Sequence, residues 1–295
     1  MIIVITGPTG VGKTKLSIEL AKKFNGEIIN GDAIQVYKGL DIGSAKVTKE
    51  EMDGVVHHLF DIKDVWEDYS IFNYQKDSRK VIDDIISRGK NVIIVGGTGL
   101  YIKSCLYNYT LSNEEDDTDS YDDVSTEELY NRLKELDKEI DIDRFNRRRI
   151  IRALNYYLKN NKSIRENNMG NDLLYDNVLF VGLTTDREIL YDRINKRVDV
   201  MVNNGLIDEV KSFYDKDMRY KPLLGGIGYK ELYSYFDGDI SFDEAIELIK
   251  RNSRRYAKRQ YTFFNNQFNI KWFNVDFDCF DNTIDDVTKY ISNKK

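Results

Sequence analysis

The stretch "MIIVITGPTGVGKTKLSIELAKKF", Met1 to Phe24, decides the fold. Its first six residues are apolar or β-branched throughout, which predicts a buried strand. The next eight, Gly7-x-x-x-x-Gly12-Lys13-Thr14, form a complete P-loop pattern. The glycines let backbone N–H groups turn inward around phosphate oxygens, and the helix that follows adds its positive dipole end. Lys13 adds a point charge, and the Thr14 hydroxyl can ligate Mg²⁺. A helix is expected from the loop to about Phe24.

Working outward, further short apolar runs predict more strands. They are "GEIIN" (26–30), "NVIIVGG" (91–97), "NVLFVGL" (177–183) and "IKWFNV" (270–275). Short apolar strands separated by helical stretches predict a parallel sheet covered on both faces. The expected fold is therefore α/β: a three-layer P-loop core with a parallel sheet and a helical insertion domain. The core takes residues 1–110 and 177–295, and the insertion takes 111–176. In that insertion the acidic stretch "EEDDTDSYDD" (114–123) reads as a solvated loop that repels phosphate. It leads into a helix with a capping box at Ser125 and Glu128 and with Leu129, Leu133 and Leu136 at helical spacing. A last long helix is expected from a second capping box, Ser241 to Glu244, to about Asn266.

One stretch breaks the pattern of an ATP-cleaving enzyme. In that class a buried strand usually ends in an acid that helps hold Mg²⁺. Here the strand in "NVIIVGGTGLY" (91–101) ends in Gly96-Gly97-Thr98. A chain that grips phosphate without this acid has room for other chemistry.

Composition narrows the classes. A 295-residue chain with 41% hydrophobic and 32% charged residues can bury a sizeable core and stay in water. No apolar run approaches a membrane span, and "MIIVITGP" lacks the basic start of a signal peptide. The expectation is a cytoplasmic, soluble protein with no membrane partner. Cys105 and Cys279 are far apart in sequence, and the two histidines, His57 and His58, are too few for a zinc module. Adjacent histidines are better read as structural hydrogen-bonding groups. A net charge of −6 argues against indiscriminate nucleic-acid binding but leaves room for local basic patches.

Two such patches stand out. "RFNRRRIIR" (144–152) packs five arginines into nine residues, with Ile150, Ile151 and then Leu154 interleaved. "KRNSRRYAKR" (250–259) places its cations on one broad stripe of the last helix. A charge run is by default a solvated face, but the interleaved apolar residues favour a phosphate-tracking surface. Asp32 follows a strand end, where α/β sheets place their sites, although a lone post-strand Asp is usually a helix N-cap. Thr98 could equally be a cap, yet the two glycines before it imply close backbone approach. Gln35 and Tyr37 could read a base or simply form a turn.

These motifs, with "GDAIQVYKGLDIGSAK", "HHLFDI", "VGGTGLYIK", "RRIIRAL", "KSIRE", "REILYDRINKRVDVM", "GGIGYKEL" and "EAIELIKRNSRRYAKRQYTFF", run in an order that resembles the tRNA dimethylallyltransferases along nearly the whole chain. The resemblance implies transfer of a dimethylallyl group from dimethylallyl diphosphate to the exocyclic amine of the adenosine just 3′ of the anticodon. It makes Gly7, Thr9, Gly10, Val11, Gly12, Lys13 and Thr14 a seat for a diphosphate leaving group, with Arg193 and Arg197 as auxiliary clamps. It gives Mg²⁺ as cofactor with Thr14 as its protein ligand. Asp32 would accept a proton from the amine, and Thr98 would orient it.

The same resemblance assigns tRNA contact to Asp32, Ala33, Ile34 and Gln35, to Arg148, Arg149, Ile150, Ile151 and Arg152, and to Gly225, Gly226, Ile227, Gly228, Tyr229 and Lys230. The partners it implies are the tRNA anticodon stem-loop and dimethylallyl diphosphate, and the expected state is a monomer of the bacterial, zinc-finger-free type. The chain departs from the family at three places. Asp32-Ala33 replaces the usual Asp-Ser, an acidic stretch replaces the Pro-rich segment after "GLYIK", and "DIDRFN" lacks the usual His-Pro-Asn before the Arg helix. The rival readings are a P-loop small-molecule kinase and a non-catalytic RNA-binding P-loop protein.

Overall fold

The computed structural model describes residues 1–108, 121–166 and 172–294. It divides into two compact units, Met1–Leu106 with Tyr175–Lys295, and Tyr107–Leu174.

The first unit is built on six parallel strands in the order β3-β2-β4-β1-β5-β6. These are β1 (Ile2–Thr6), β2 (Gly26–Asn30), β3 (His57–His58), β4 (Asn91–Val95), β5 (Val178–Thr184) and β6 (Lys271–Asn274). The five predicted strands are present, and the two-residue β3 is an addition. It is too short to carry an alternation signal and forms only because Ile28 and Ile29 offer an edge to pair with.

Twelve helices of this fold are α1 (Lys13–Lys23), α2 (Lys49–Met52), α3 (Ile71–Ser87), α4 (Gly99–Leu106), α5 (Thr126–Leu136), α6 (Arg147–Asn160), α7 (Arg187–Asn203), α8 (Leu206–Tyr214), α9 (Lys221–Gly225), α10 (Tyr229–Phe236), α11 (Phe242–Gln267) and α12 (Phe280–Ser292). Strand alternation divides the core. Ile3, Ile5, Ile28 and Ile93 share one buried cluster with Leu16 and Leu20 of α1 and with Ile284, Val287 and Ile291 of α12. Their neighbours Ile2, Val4, Ile29, Val92 and Ile94 are buried from the other side, where α3 packs on β2 and β4 and touches α4. The result is three layers. Because every strand is parallel, all C-terminal strand ends meet at one rim, which is where such sheets bind ligands.

The second unit is a helix pair, α5 against α6, with its own core of Leu129, Leu133, Ile140, Ile150, Ile151, Ala153 and Leu154. Leu129, Leu133 and Leu136 lie on α5 as their spacing predicts, with Leu136 at its end 39% exposed. Two expectations need correction here. Ser125 accepts the N–H of Glu128, but Glu128 does not return the bond and instead pairs with Arg132 at 2.7 Å, so the capping box is half-formed. The Ile150 and Ile151 side chains, expected to face tRNA, are core residues at 0% and 2% exposure and cannot touch a ligand. Residues 114–120 of the acidic stretch lie outside the described residues.

Candidate active site

The site is assembled where β1, β2 and β4 end. After β1 the chain takes positive φ at Gly7, Gly10 and Gly12, a path that L side chains rarely follow. Gly12 is doubly required, because a Cβ there would sit 2.5 Å from the Phe280 ring. The loop turns directly into α1 with no side-chain cap on its first N–H groups, a helix end of the kind that suits an anion. Lys13 Nζ donates to the Pro8 carbonyl at 2.7 Å, and Arg193 Nε donates to the Gly10 carbonyl at 3.1 Å while its guanidinium stacks on Phe277. Thr14 is exposed in the first turn of α1. Thr9, half-exposed, and Val11, fully buried, lie between the glycines.

The missing acid has a physical answer. Gly96 follows β4 where a Cβ would lie 2.2 Å from the Gly31 carbonyl. Only glycine leaves room for the Gly31 backbone there; the Thr98 N–H donates to the Gly31 carbonyl at 3.0 Å, and Asp32, just past the end of β2, faces Gly97. The Ala33 N–H donates to Thr98 Oγ1 at 3.0 Å, tying the two strand ends together. The carboxylate nearest this strand end therefore comes from the chain after the neighbouring strand β2.

Asp32 shapes the turn that it opens. Its Oδ1 accepts the Ile34 N–H at 3.0 Å, and its own N–H donates to Asn30 Oδ1 at 2.8 Å, so it does organise the local chain. No helix follows, however; the cap stabilises a turn. Burial raises its carboxyl above the ordinary aspartate range, while the Ile34 N–H and the charges of Lys13 and Arg197 pull the other way. Lys13 answers in kind: burial, helped by Arg197 and opposed by Asp32, lowers its ammonium to about 7. Arg197 is also lowered, by burial first, with Asp32 opposing. The structure thus brings Lys13, Asp32, Thr98 and Arg197 into one electrostatic neighbourhood, with Arg193 on the loop itself.

Some predicted contacts have other occupations. Gln35 Nε2 donates to the Ser44 carbonyl at 2.9 Å, and Tyr37 is 8% exposed, so the turn reading holds for both. Tyr229 is fully buried and donates to Glu209 at 2.6 Å; as a side-chain contact to tRNA it is corrected. Gly226 and Gly228 are buried, Gly225 opens to free space, and Ile227 and Lys230 are partly exposed. The segment 225–230 packs on the turn after Asp32, since a Cβ at Gly43 would lie 2.7 Å from the Tyr229 ring. Arg148, Arg149 and Arg152 are exposed on α6, whereas Arg147 reaches back to the carbonyls of Tyr121 and Val124.

Three residues that matter here carried little sequence signal. Glu209 gathers the N–H groups of Asp41, Ile42 and Gly43 together with the Tyr229 hydroxyl. Tyr256 and Gln260 of α11 both donate to the Gly97 carbonyl, at 3.3 and 3.0 Å. Gln260 could have been found as a polar residue on the apolar face of Ala257 and Phe264. The histidines are structural: His57 bonds the Val55 carbonyl and His58 bonds Glu27.

Fold and site define a P-loop protein of the parallel α/β class, with a glycine-rich loop after the first strand and a half-buried carboxylate on a nearby strand end. Comparison then settles the family. A profile described as IPP transferase matches residues 35–267. Curated tRNA dimethylallyltransferases of Anoxybacillus flavithermus and Geobacillus thermodenitrificans are each 49% identical, the match covering 99% of this chain and 96% of the relative. A crystal structure of tRNA delta(2)-isopentenylpyrophosphate transferase from Staphylococcus epidermidis is 42% identical, with a TM-score of 0.74 and 99% of each chain covered. A eukaryotic dimethylallyltransferase acting on tRNA aligns with a TM-score of 0.85 at 30% identity, over 100% of this chain and 80% of its own. The chain belongs to the IPP transferase family.

Proposed function

We propose that this chain, a tRNA dimethylallyltransferase by family, moves a dimethylallyl group from dimethylallyl diphosphate to the exocyclic amine of the adenosine 3′-adjacent to the anticodon. The observation that carries the reading is the half-buried Asp32, whose carboxyl faces Gly97 within the field of Lys13 and whose neighbour Ala33 is tied to the Thr98 hydroxyl. The diphosphate rests on the P-loop N–H groups, with Lys13, Arg193 and Arg197 offsetting its charge. The C–O bond of the donor breaks, its electron pair leaves with the diphosphate, and the amine nitrogen forms the new C–N bond. Asp32 accepts the proton that the amine sheds. An adenine amine is a weak nucleophile because its lone pair is delocalised into the ring, so removal of this proton as the bond forms is what the carboxylate contributes.

Mg²⁺ fits this donor set in one way only. Among the described residues no three His, Cys, Asp or Glu side chains converge to hold a metal. A magnesium ion here would be held by the Thr14 hydroxyl together with the bound phosphates, as this ion usually binds with few protein ligands. When bound, it neutralises charge developing on the leaving group.

The exposed Arg148, Arg149 and Arg152, with the turn after Asp32 and the segment 225–230, form our proposed contacts to the tRNA anticodon stem-loop. The target base must leave its stack to reach a recessed carboxylate. No helix among the described residues is long and apolar enough to cross a membrane. We place the enzyme in the cytoplasm as a monomer.

The test combines protein, Mg²⁺ and unmodified tRNA with dimethylallyl diphosphate or ATP, and reads the digested nucleosides by mass spectrometry. A nucleoside heavier by one dimethylallyl unit, formed only with the prenyl donor, is expected. Phosphate release from ATP without an adduct would favour the kinase. Asp32→Ala should lower turnover by about 10²–10⁴-fold while leaving tRNA affinity within about threefold. If binding falls together with turnover, Asp32 is a structural residue and its assigned role is wrong.

A further inference from the structure

We infer that Glu209 is a positioning residue for the transfer: it clamps the loop 39–46 onto α8, and that loop braces the turn that carries Asp32. The inference rests on the proposed prenyl transfer. Gly205, just before α8, and Glu209 and Phe213 within it stand four residues apart, so they share one face. That face receives the loop. A Cβ on Gly205 would lie 3.8 Å from Ile42 Cδ1, and one on Gly39 would lie 3.1 Å from the Phe213 ring. Between these two contacts the Glu209 carboxylate accepts from four groups. Its Oε2 takes the Asp41 and Ile42 N–H groups at 3.1 and 2.7 Å. Its Oε1 takes the Gly43 N–H at 3.1 Å and the Tyr229 hydroxyl at 2.6 Å. A carboxylate accepts on both oxygens, whereas an amide has only one oxygen to offer.

The loop in turn supports the turn that Asp32 opens. Lys46, its side chain 4% exposed, closes the loop by donating to the Tyr37 carbonyl and the Asp41 carboxylate, each at 2.7 Å. Gln35 Nε2 crosses from the Asp32 turn to the Ser44 carbonyl at 2.9 Å. The residue before Gln35 is Ile34, whose N–H donates to the Asp32 carboxyl at 3.0 Å. A shift of the loop is therefore passed through Gln35 to the backbone that holds this carboxyl. The diphosphate seat is set differently, by the P-loop glycines between β1 and α1. Loss of Glu209 should thus displace the proton acceptor and spare the seat. A displacement of about 1 Å at a reacting group is costly even when its cause is remote.

The experiment uses the full chain with saturating tRNA and varied dimethylallyl diphosphate, and reads kcat, the KM for the donor and the melting temperature. Glu209→Ala is expected to lower kcat by about 10–100-fold with the donor KM within about twofold of wild type. Glu209→Gln keeps one acceptor and should lose less. Gln35→Ala should also lower kcat, and in the E209A background it should cost little more, since both changes cut one path. Tyr233, on α10, gives its hydroxyl to the Met218 carbonyl at 2.7 Å, so Tyr233→Phe should lower the melting temperature and keep kcat. A wild-type kcat in E209A overturns the proposal, as does a loss carried by the donor KM. Effects of E209A and Q35A that simply multiply also overturn it. So does an equal kcat loss in Y233F, which would mean that general loosening of the fold is the cause. If neither Glu209 variant folds, Q35A must lower kcat by itself at an unchanged donor KM, or the proposal fails. If wild type transfers no dimethylallyl group, the functional reading beneath the inference falls and takes it along; if wild type is active and E209A matches it, only the inference falls.

Discussion

Lys13 shows how a residue's chemistry depends on what surrounds it. The P-loop pattern names it as a cation, but in the folded protein its ammonium titrates at about 7, because burial and Arg197 outweigh the attraction of Asp32. Arrival of a diphosphate reverses that balance and draws a proton onto it. Binding of inorganic diphosphate at pH 8 should therefore take up protons, and calorimetry in buffers of different ionisation enthalpy should find uptake of the order of one proton per site. The Lys13→Met variant should take up less. Equal uptake in the two proteins would place the proton elsewhere. Asp32 was legible in the sequence as a post-strand acid, and its carboxyl caps a turn and not a helix. The Tyr256 contact with Gly97 was not legible, because residues 159 apart in sequence meet only through the packing of α11 on α4.

At the scale of elements, α6 shows what a charge run hides. Five arginines in nine residues read as one basic surface, yet the helix separates them from the isoleucines they alternate with. Ile150 and Ile151 join the core of the second unit, and Arg147 ties the helix start to the preceding turn. Ile150→Ala should therefore destabilise that unit by about 2–4 kcal/mol, seen as an earlier thermal transition. Arg152→Ala should leave stability within about 0.5 kcal/mol but weaken tRNA binding and reduce the dependence of log Kd on log salt by about one unit. A stability loss in R152A comparable with I150A would make the arginine structural. The stripe on α11 divides in the same way. Lys250 pairs with Asp199 at 2.7 Å and Arg254 donates to Asn195, both on α7, while Arg251, Arg255, Lys258 and Arg259 face outward. Helical periodicity predicts which residues share a face. It does not say which neighbour that face will meet.

In the core unit as a whole, the two rims of the sheet have opposite roles. The C-terminal rim carries the site, with charges held in tension. The other rim carries a satisfied cluster. Buried Glu27, at the start of β2, receives Arg88 at 2.5 and 2.8 Å, Lys90 at 2.7 Å and His58 at 2.7 Å. Arg88 is the main reason its carboxyl lies well below the ordinary glutamate range, with Lys90 and His58 adding to the effect against burial. The folded state thus favours the charged carboxylate, and its contribution to stability is present above the unfolded-state value and lost as pH falls. Glu27→Gln should cost about 1–3 kcal/mol at pH 7, less than for a fully enclosed pair because Arg88 and Lys90 keep contact with water. The difference from wild type should shrink progressively below about pH 4. A gap that stays constant down to pH 3 would rule this account out.

The sequence by itself determined the succession of elements: a P-loop between strand and helix, further apolar runs between helical stretches, and hence a parallel sheet. These are local patterns, and local physics enforces them. Only the tertiary structure decided that Gly96 is glycine to let the Gly31 backbone approach, and that Tyr256 and Gln260 hold the Gly97 carbonyl. Those facts depend on distances between segments remote in the chain, set by packing that no window of sequence contains.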